Sequence, residues 1–372
     1  MNSVKTASMK KKIESFQALR AIAFVDVFLL HCGEFASGAA GVSIFFVLSG
    51  FLMYYSYCEK SLNTSIKGSV KFSFSKINKL YPLHALMLLA SFAVLINSFI
   101  KNFTFKSLIL EASKFFTQIF LVQSWVPNIG FNFSFNSVAW YLSVCCFLYA
   151  AFPNVLKKIK KFSTKVCAIF IFLIFGMQIF VGAFLKFSSA WIDSAYVLAQ
   201  WVTYIFPVAR LGDFIIGCCL GKIFLNCEFK IGKLTATFLE LLSFLMFIAA
   251  EFIFANEQGM LGSVYFRYTV IFTPISVLLV FLFAINKGYI SRVLTCKPLI
   301  FLGDISAYTF LIHQIVIRYI GALNYRLIHL PDSNSTTILK AVSSFIISIL
   351  FAVLYRAVER KIREKRRSIK KT

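Results

Sequence analysis

The chain has 372 residues, 59% of them apolar, yet it carries 39 Lys and Arg against 15 Asp and Glu, a formal net charge of +24. A soluble nucleic-acid binder needs its cations on a polar surface, and an apolar majority with 45 Phe leaves no such surface unless the two residue kinds are segregated along the chain. They are segregated, in long apolar runs separated by short lysine-rich ones, which disfavours DNA binding, a secreted disulfide scaffold and disorder, and points to an all-α polytopic membrane protein. The nine cysteines are odd in number and form no CxxC pair, so they read as small buried hydrophobes rather than as disulfides or a metal site.

A hydrocarbon core of ~30 Å needs roughly 20 apolar residues per helix. Ten segments qualify: 16–32, 39–58, 81–100, 138–156, 166–186, 203–222, 234–254, 268–286, 299–320 and 337–356. Residues 115–125 are apolar but too short, and read as an interfacial or re-entrant helix. An even number of spans puts both termini on one side. If that side is the cytoplasm, the inner segments hold 29 of the 39 cations and the outer ones eight, with Arg20 and Arg210 near or within spans. The charge excess is thus topological, and the cytoplasmic face it creates also suits anionic lipid head groups or phosphates. Residues 1–40 resemble a signal peptide in their basic start and small residues, but Asp26, His31 and the second span that follows at once favour a helical hairpin. The reading is one membrane domain over 1–372, with basic cytoplasmic tails at 1–15 and 357–372 and no appended hydrolase domain.

Ionisable residues inside a span are costly and mark candidate sites. The first span, RAIAFVDVFLLH, carries Arg20, Asp26 and His31. Arg20 and His31 are eleven residues apart, which places them about 20° apart in azimuth and roughly 16 Å apart along the helix. They share a stripe, while Asp26 points off it. Glu34 reaches His31 only if helical geometry survives Gly33. The plain alternative is that Arg20 snorkels to the head groups and His31 is a packing residue.

Arg20 and His31 followed by GVSIFFVLSGFLM at 41–53 resemble the opening of the acyltransferase 3 family, integral-membrane enzymes that O-acetylate bacterial surface polysaccharides. The resemblance continues in order through SKINKLYP with Lys76 and Lys79, NSVAWYLSVCCFLYAAFP with Trp140 and Tyr141, and PVARLGDFIIG with Arg210 and Asp213. FLGDISAYTFLIHQ with His313 and YRAVER with Glu359 complete it, so that it covers about 14 to 362.

That resemblance implies a multi-pass protein of the bacterial inner membrane that takes acetyl-CoA from the cytoplasm as acyl donor and uses no metal. The acceptor it implies is a hydroxyl of a surface polysaccharide or its lipid-linked precursor. Arg20, Lys76 and Lys79 are the implied grip on the donor's phosphates; the family prefers arginine at the latter two positions, and lysine lacks the bidentate fork. Lysines there also follow from topology alone. His31 is the implied base or acyl relay, and an unperturbed pKa of ~6.5 suits a general base. His313 either lines the same cavity or is a packing residue. Ser49 and Gly50 suit close helix packing or contact with the acyl group. Trp140 and Tyr141 suit an aromatic belt or a sugar platform. Arg210 and Asp213, spaced i,i+3, suit a local ion pair or a site lining. Where the family usually has a glutamate this chain has Cys145, so a carboxylate assisting His31 would come from Glu34, Asp26, Asp213 or Asp304. The rival class is a proton-coupled transporter or flippase, which also needs intramembrane charges, but no internal repeat or matched pair of broken helices supports it.

Overall fold

A computed structural model describes residues 12–33, 38–101, 103–191, 195–255 and 263–369. Among them there is no strand, and twelve helices have twelve residues or more. These are α1 (Ser15–His31), α2 (Ala39–Tyr57), α3 (Ile66–Ile77), α4 (Tyr81–Lys101), α5 (Phe105–Ile119) and α6 (Trp140–Lys161). They continue as α7 (Thr164–Ser188), α8 (Pro207–Asn226), α9 (Lys233–Ala255), α10 (Phe272–Ile285), α11 (Lys297–Leu323) and α12 (Asn334–Ile369).

Local chemistry sets several of the boundaries. Ser65, Thr104 and Ser163 cap α3, α5 and α7 by accepting from the backbone N–H three residues on. Pro207 opens α8 where its missing N–H costs nothing, and Asn286 ends α10 at φ 51°. The expected short helix at 115–125 starts earlier, at Phe105, because the Thr104–Ser107 capping box nucleates it there; it ends at Ile119, and Leu121 turns the chain at φ 54°.

Helix runs through nine of the ten expected spans, and the one at 203–222 is broken at Phe206, which is extended (φ -62°, ψ 124°) between Trp201–Ile205 and α8. Seven helical stretches are long and apolar enough to cross a membrane, and an eighth qualifies if α3 and α4, bent by 64° at their junction, count as one. Helix α1 is 17 residues long, and α8 carries Arg210, Asp213 and Lys222, so neither is in that set. Burial sorts the spans into an inner group and an outer ring. The apolar window of α2 is 72% buried and that of α10 61%, whereas those of α7, α9 and α12 are 22%, 17% and 17% buried and turn their side chains to lipid.

The inner helices approach closely because glycines stand at the crossings. A Cβ on Gly50 of α2 would meet the carbonyl of Phe214 on α8, and one on Gly217 of α8 would meet the carbonyl of Val47 on α2. Gly303 of α11 sits in the same way on the backbone of Gln17 in α1. Buried Asp26 ties the hairpin: its Oδ2 accepts from the N–H of Gly41, 2.9 Å away, joining mid-α1 to the start of α2.

Both described chain ends meet at one end of the bundle. There Lys12 pairs with Asp304 at 2.9 Å, and Glu359 of α12 accepts from the hydroxyl of Tyr308 on α11 at 2.8 Å. His31 closes α1 at the opposite end.

Candidate active site

Two cavities lie back to back between these inner helices. The first, about 250 Å³, opens toward the end where Lys12 and Glu359 lie and takes its polar lining from Arg20, Lys76, Ser49, Cys145, Tyr149 and Ser306. Helix periodicity explains two of these side chains and a third beside them: Tyr141, Cys145 and Tyr149 recur every four residues, so one stripe of α6 faces the space. Arg20 makes no hydrogen bond or ion pair among the described residues. Lys76 donates to the hydroxyl of Tyr57 and lies 4.5 Å over its ring and 5.2 Å over that of Phe72. The mouth is therefore cationic and apolar at once.

The second cavity, about 310 Å³, lies toward the other end and holds His31 with Ser137, Trp140, Gln200, Tyr204 and Tyr268. Tyr204 packs on Tyr268 with ring centroids 4.4 Å apart and on Trp140 at 4.8 Å, giving an aromatic wall beside polar tips. The Oγ of Ser137 is buried there without a hydrogen-bond partner among the described residues. Phe310 lines both cavities. Its ring sits 5.9 Å from that of Phe45 and 5.3 Å from that of Tyr141, which line the first cavity alone, so Phe310 is the wall that the two spaces share.

His31 and His313 meet beside that wall. Nε2 of His313 is 3.3 Å from Nδ1 of His31, which also lies 2.8 Å from the carbonyl of Val27. His313 is fully buried and wedged between Phe24 and Phe310, at 5.7 and 5.9 Å between centroids.

The remaining expected residues separate. Ser49 lines the first cavity, while Gly50, beside it, serves the α2–α8 crossing. Lys79 leaves Lys76: it follows α3 across the 64° bend and faces a separate groove of about 510 Å³, shared with Ser75, Asn78, Arg363 and Arg366. Arg210 and Asp213 line neither cavity. Their side chains are fully buried and 2.8 Å apart; Asp213 also accepts from Gln178 and Thr273, and Arg210 Nε donates to the carbonyl of Tyr204. The pair thereby ties α7, α8 and α10 together. Helix α1 stops at His31 and Gly33 takes φ 79°, so helical spacing does not carry on to Glu34, which falls outside the described residues. Of the other acids named, Asp26 is held by Gly41, Asp213 by Arg210 and Asp304 by Lys12; none bonds His31.

Sequence reasoning missed Phe45, Phe310, Tyr149, Gln200, Tyr204 and Tyr268. Tyr149 was findable from its four-residue spacing to Cys145; the others lie on helices or helical turns without a motif, and only packing brings them to the site.

These residues form a helical membrane bundle with a cationic cavity and a histidine-bearing cavity that share the ring of Phe310. The family described as an acyltransferase domain matches residues 13–357, and the chain belongs to that family of acyltransferases. It is similar to the acyltransferase MdmB of Streptomyces mycarofaciens, 24% identical over 235 residues. That stretch is 57% of this chain and 57% of the relative, so the match spans little more than half of each. No solved structure matches.

Proposed function

We propose that the protein is a bacterial inner-membrane O-acyltransferase. In this reading it moves an acetyl group from cytoplasmic acetyl-CoA to a hydroxyl of a surface polysaccharide or its lipid-linked precursor. The observation that carries it is the pair of cavities sharing Phe310, one cationic at its mouth and the other containing His31.

Arg20 and Lys76 suit the phosphates of CoA, whose negative charge needs cations with little competing anion. Along α1 the distance from Arg20 to His31 is roughly 16 Å, a gap that an extended pantetheine arm bridges with its thioester at the Phe310 wall. The second cavity's aromatic rings and polar tips suit a sugar, which stacks its C–H faces and hydrogen-bonds its rim. His31 Nε2 takes the proton of the acceptor hydroxyl as its oxygen attacks the thioester carbonyl. The new C–O bond forms, the C–S bond breaks, and the departing thiolate takes the proton back from His31.

The test uses inverted membrane vesicles given radiolabelled acetyl-CoA. The expected result is label transferred to glycan by the wild type and lost in His31→Ala that still reaches the membrane. Transfer retained by His31→Ala removes histidine from the chemistry. Label accumulating on the protein when acceptor is withheld makes His31 the nucleophile rather than the base.

A further inference from the structure

We infer that His313 is a positioning residue for this reaction: it keeps the His31 ring from turning, so that its unprotonated Nε2 stays toward the cavity, and it accepts the bond that His31 strengthens when it becomes charged. The inference rests on His31 being the base.

Carbonyl oxygens only accept hydrogen bonds, and that assigns the protons. Nδ1 of His313 lies 2.8 Å from the carbonyl of Phe310 and 3.3 Å from that of Thr309, so Nδ1 of His313 carries a hydrogen. Nδ1 of His31 lies 2.8 Å from the carbonyl of Val27, so it too carries one. The 3.3 Å contact between His31 Nδ1 and His313 Nε2 then joins a donor to an acceptor, with the lone pair on His313. What remains on His31 is Nε2, which has no hydrogen-bond partner among the described residues, on a ring that lines the second cavity.

Val27 alone would set the tautomer. His313 adds two things. Its ring is fully buried among Phe24, Phe28 and Phe310, so it cannot swing away, and it stops His31 from rotating. It also gives His31 a second acceptor. When Nε2 takes the acceptor's proton, the positive ring pulls harder on both lone pairs, and a contact of 3.3 Å has room to shorten. In serine hydrolases a carboxylate fills that place behind the histidine. Here Asp26, Asp213 and Asp304 are engaged elsewhere, and a neutral imidazole stands behind His31.

The experiment compares His313→Leu with His313→Gln in the full chain, in vesicles, with acetyl-CoA as donor and His31→Ala in parallel. Glutamine puts an amide oxygen near the position of Nε2 and so keeps an acceptor. Loss of that acceptor is expected to lower kcat by about 10- to 100-fold in His313→Leu, with KM for the donor unchanged. His313→Gln is expected to recover most of it. Equal loss in both variants, or a loss confined to KM, overturns the inference while the base assignment stands; activity in His31→Ala overturns both. A second readout does not depend on the variants folding. The chain has four histidines, so nitrogen NMR of the labelled wild type can resolve them. A proton on Nδ1 of both His31 and His313 is expected, and a proton on Nε2 of His31 refutes the inference.

Discussion

The guanidinium of Arg210 and the carboxylate of Asp213 lie 2.8 Å apart, one helical turn from each other on α8, and neither has any exposed surface. With Gln178 and Thr273 also bonded to Asp213, the pair is a junction between helices. Removing one partner strands the other charge in a dry interior. Arg210→Leu and Asp213→Ala are each expected to destabilise the protein by ~3–5 kcal/mol, read as a fall in melting temperature of detergent-purified protein. Unchanged melting in either variant would put the pair outside the fold's support.

The α2–α8 crossing depends on absent side chains. Gly50→Val and Gly217→Val push a methyl group into a neighbouring backbone carbonyl, and each is expected to cost at least ~1–3 kcal/mol and to reduce monodisperse protein in size-exclusion chromatography. Gly176→Ala supplies the control, because a Cβ there meets nothing within 4 Å. A crossing that tolerates valine would have to be looser than the structure has it.

The mouth of the first cavity divides the lysines by role. Lys76 lines it and Lys79 does not. Arg20→Ala and Lys76→Ala are expected to raise KM for acetyl-CoA by about 10- to 100-fold, the range for losing one charge-assisted hydrogen bond, whereas Lys79→Ala changes it less. Initial rates at varied donor concentration check this, and equal effects of the two lysines would join the groove to the donor path.

Phe310 is the shared wall. Phe310→Ala removes most of a ring between the two cavities, and is expected to shift the ratio of kcat/KM for butyryl-CoA over acetyl-CoA upward by about 10-fold or more, on the scale of one to two buried methylenes. Competition between the two donors measures it. A ratio that does not move would mean that the acyl chain lies away from this ring.

Much of the fold was legible because its signals are one-dimensional. An apolar run of about 20 residues has to become a helix in a bilayer, and nine of the ten such runs did so without a break, seven or eight of the resulting helices being long and apolar enough to cross. Gly50 as a packing residue and Arg210 with Asp213 as an ion pair were also readable, the first from a small residue inside a span and the second from i,i+3 spacing on one helix. Lys76 and Lys79 were not separable in sequence, because three residues on one helix would share a face and the chain bends by 64° just there.

By itself the sequence determined the helical membrane architecture, the segregation of charge and the kinship to acyltransferases, because hydropathy, loop charge and ordered motifs are read along the chain. Only the tertiary structure decided that His31 meets His313 from 282 positions away and that Phe310 stands between two cavities. It also placed the Arg210–Asp213 pair away from both. Those facts depend on which faces of α1, α2, α6, α8 and α11 turn toward one another, and that is set by close packing at glycine crossings and by buried polar bonds, neither of which has a period in the sequence.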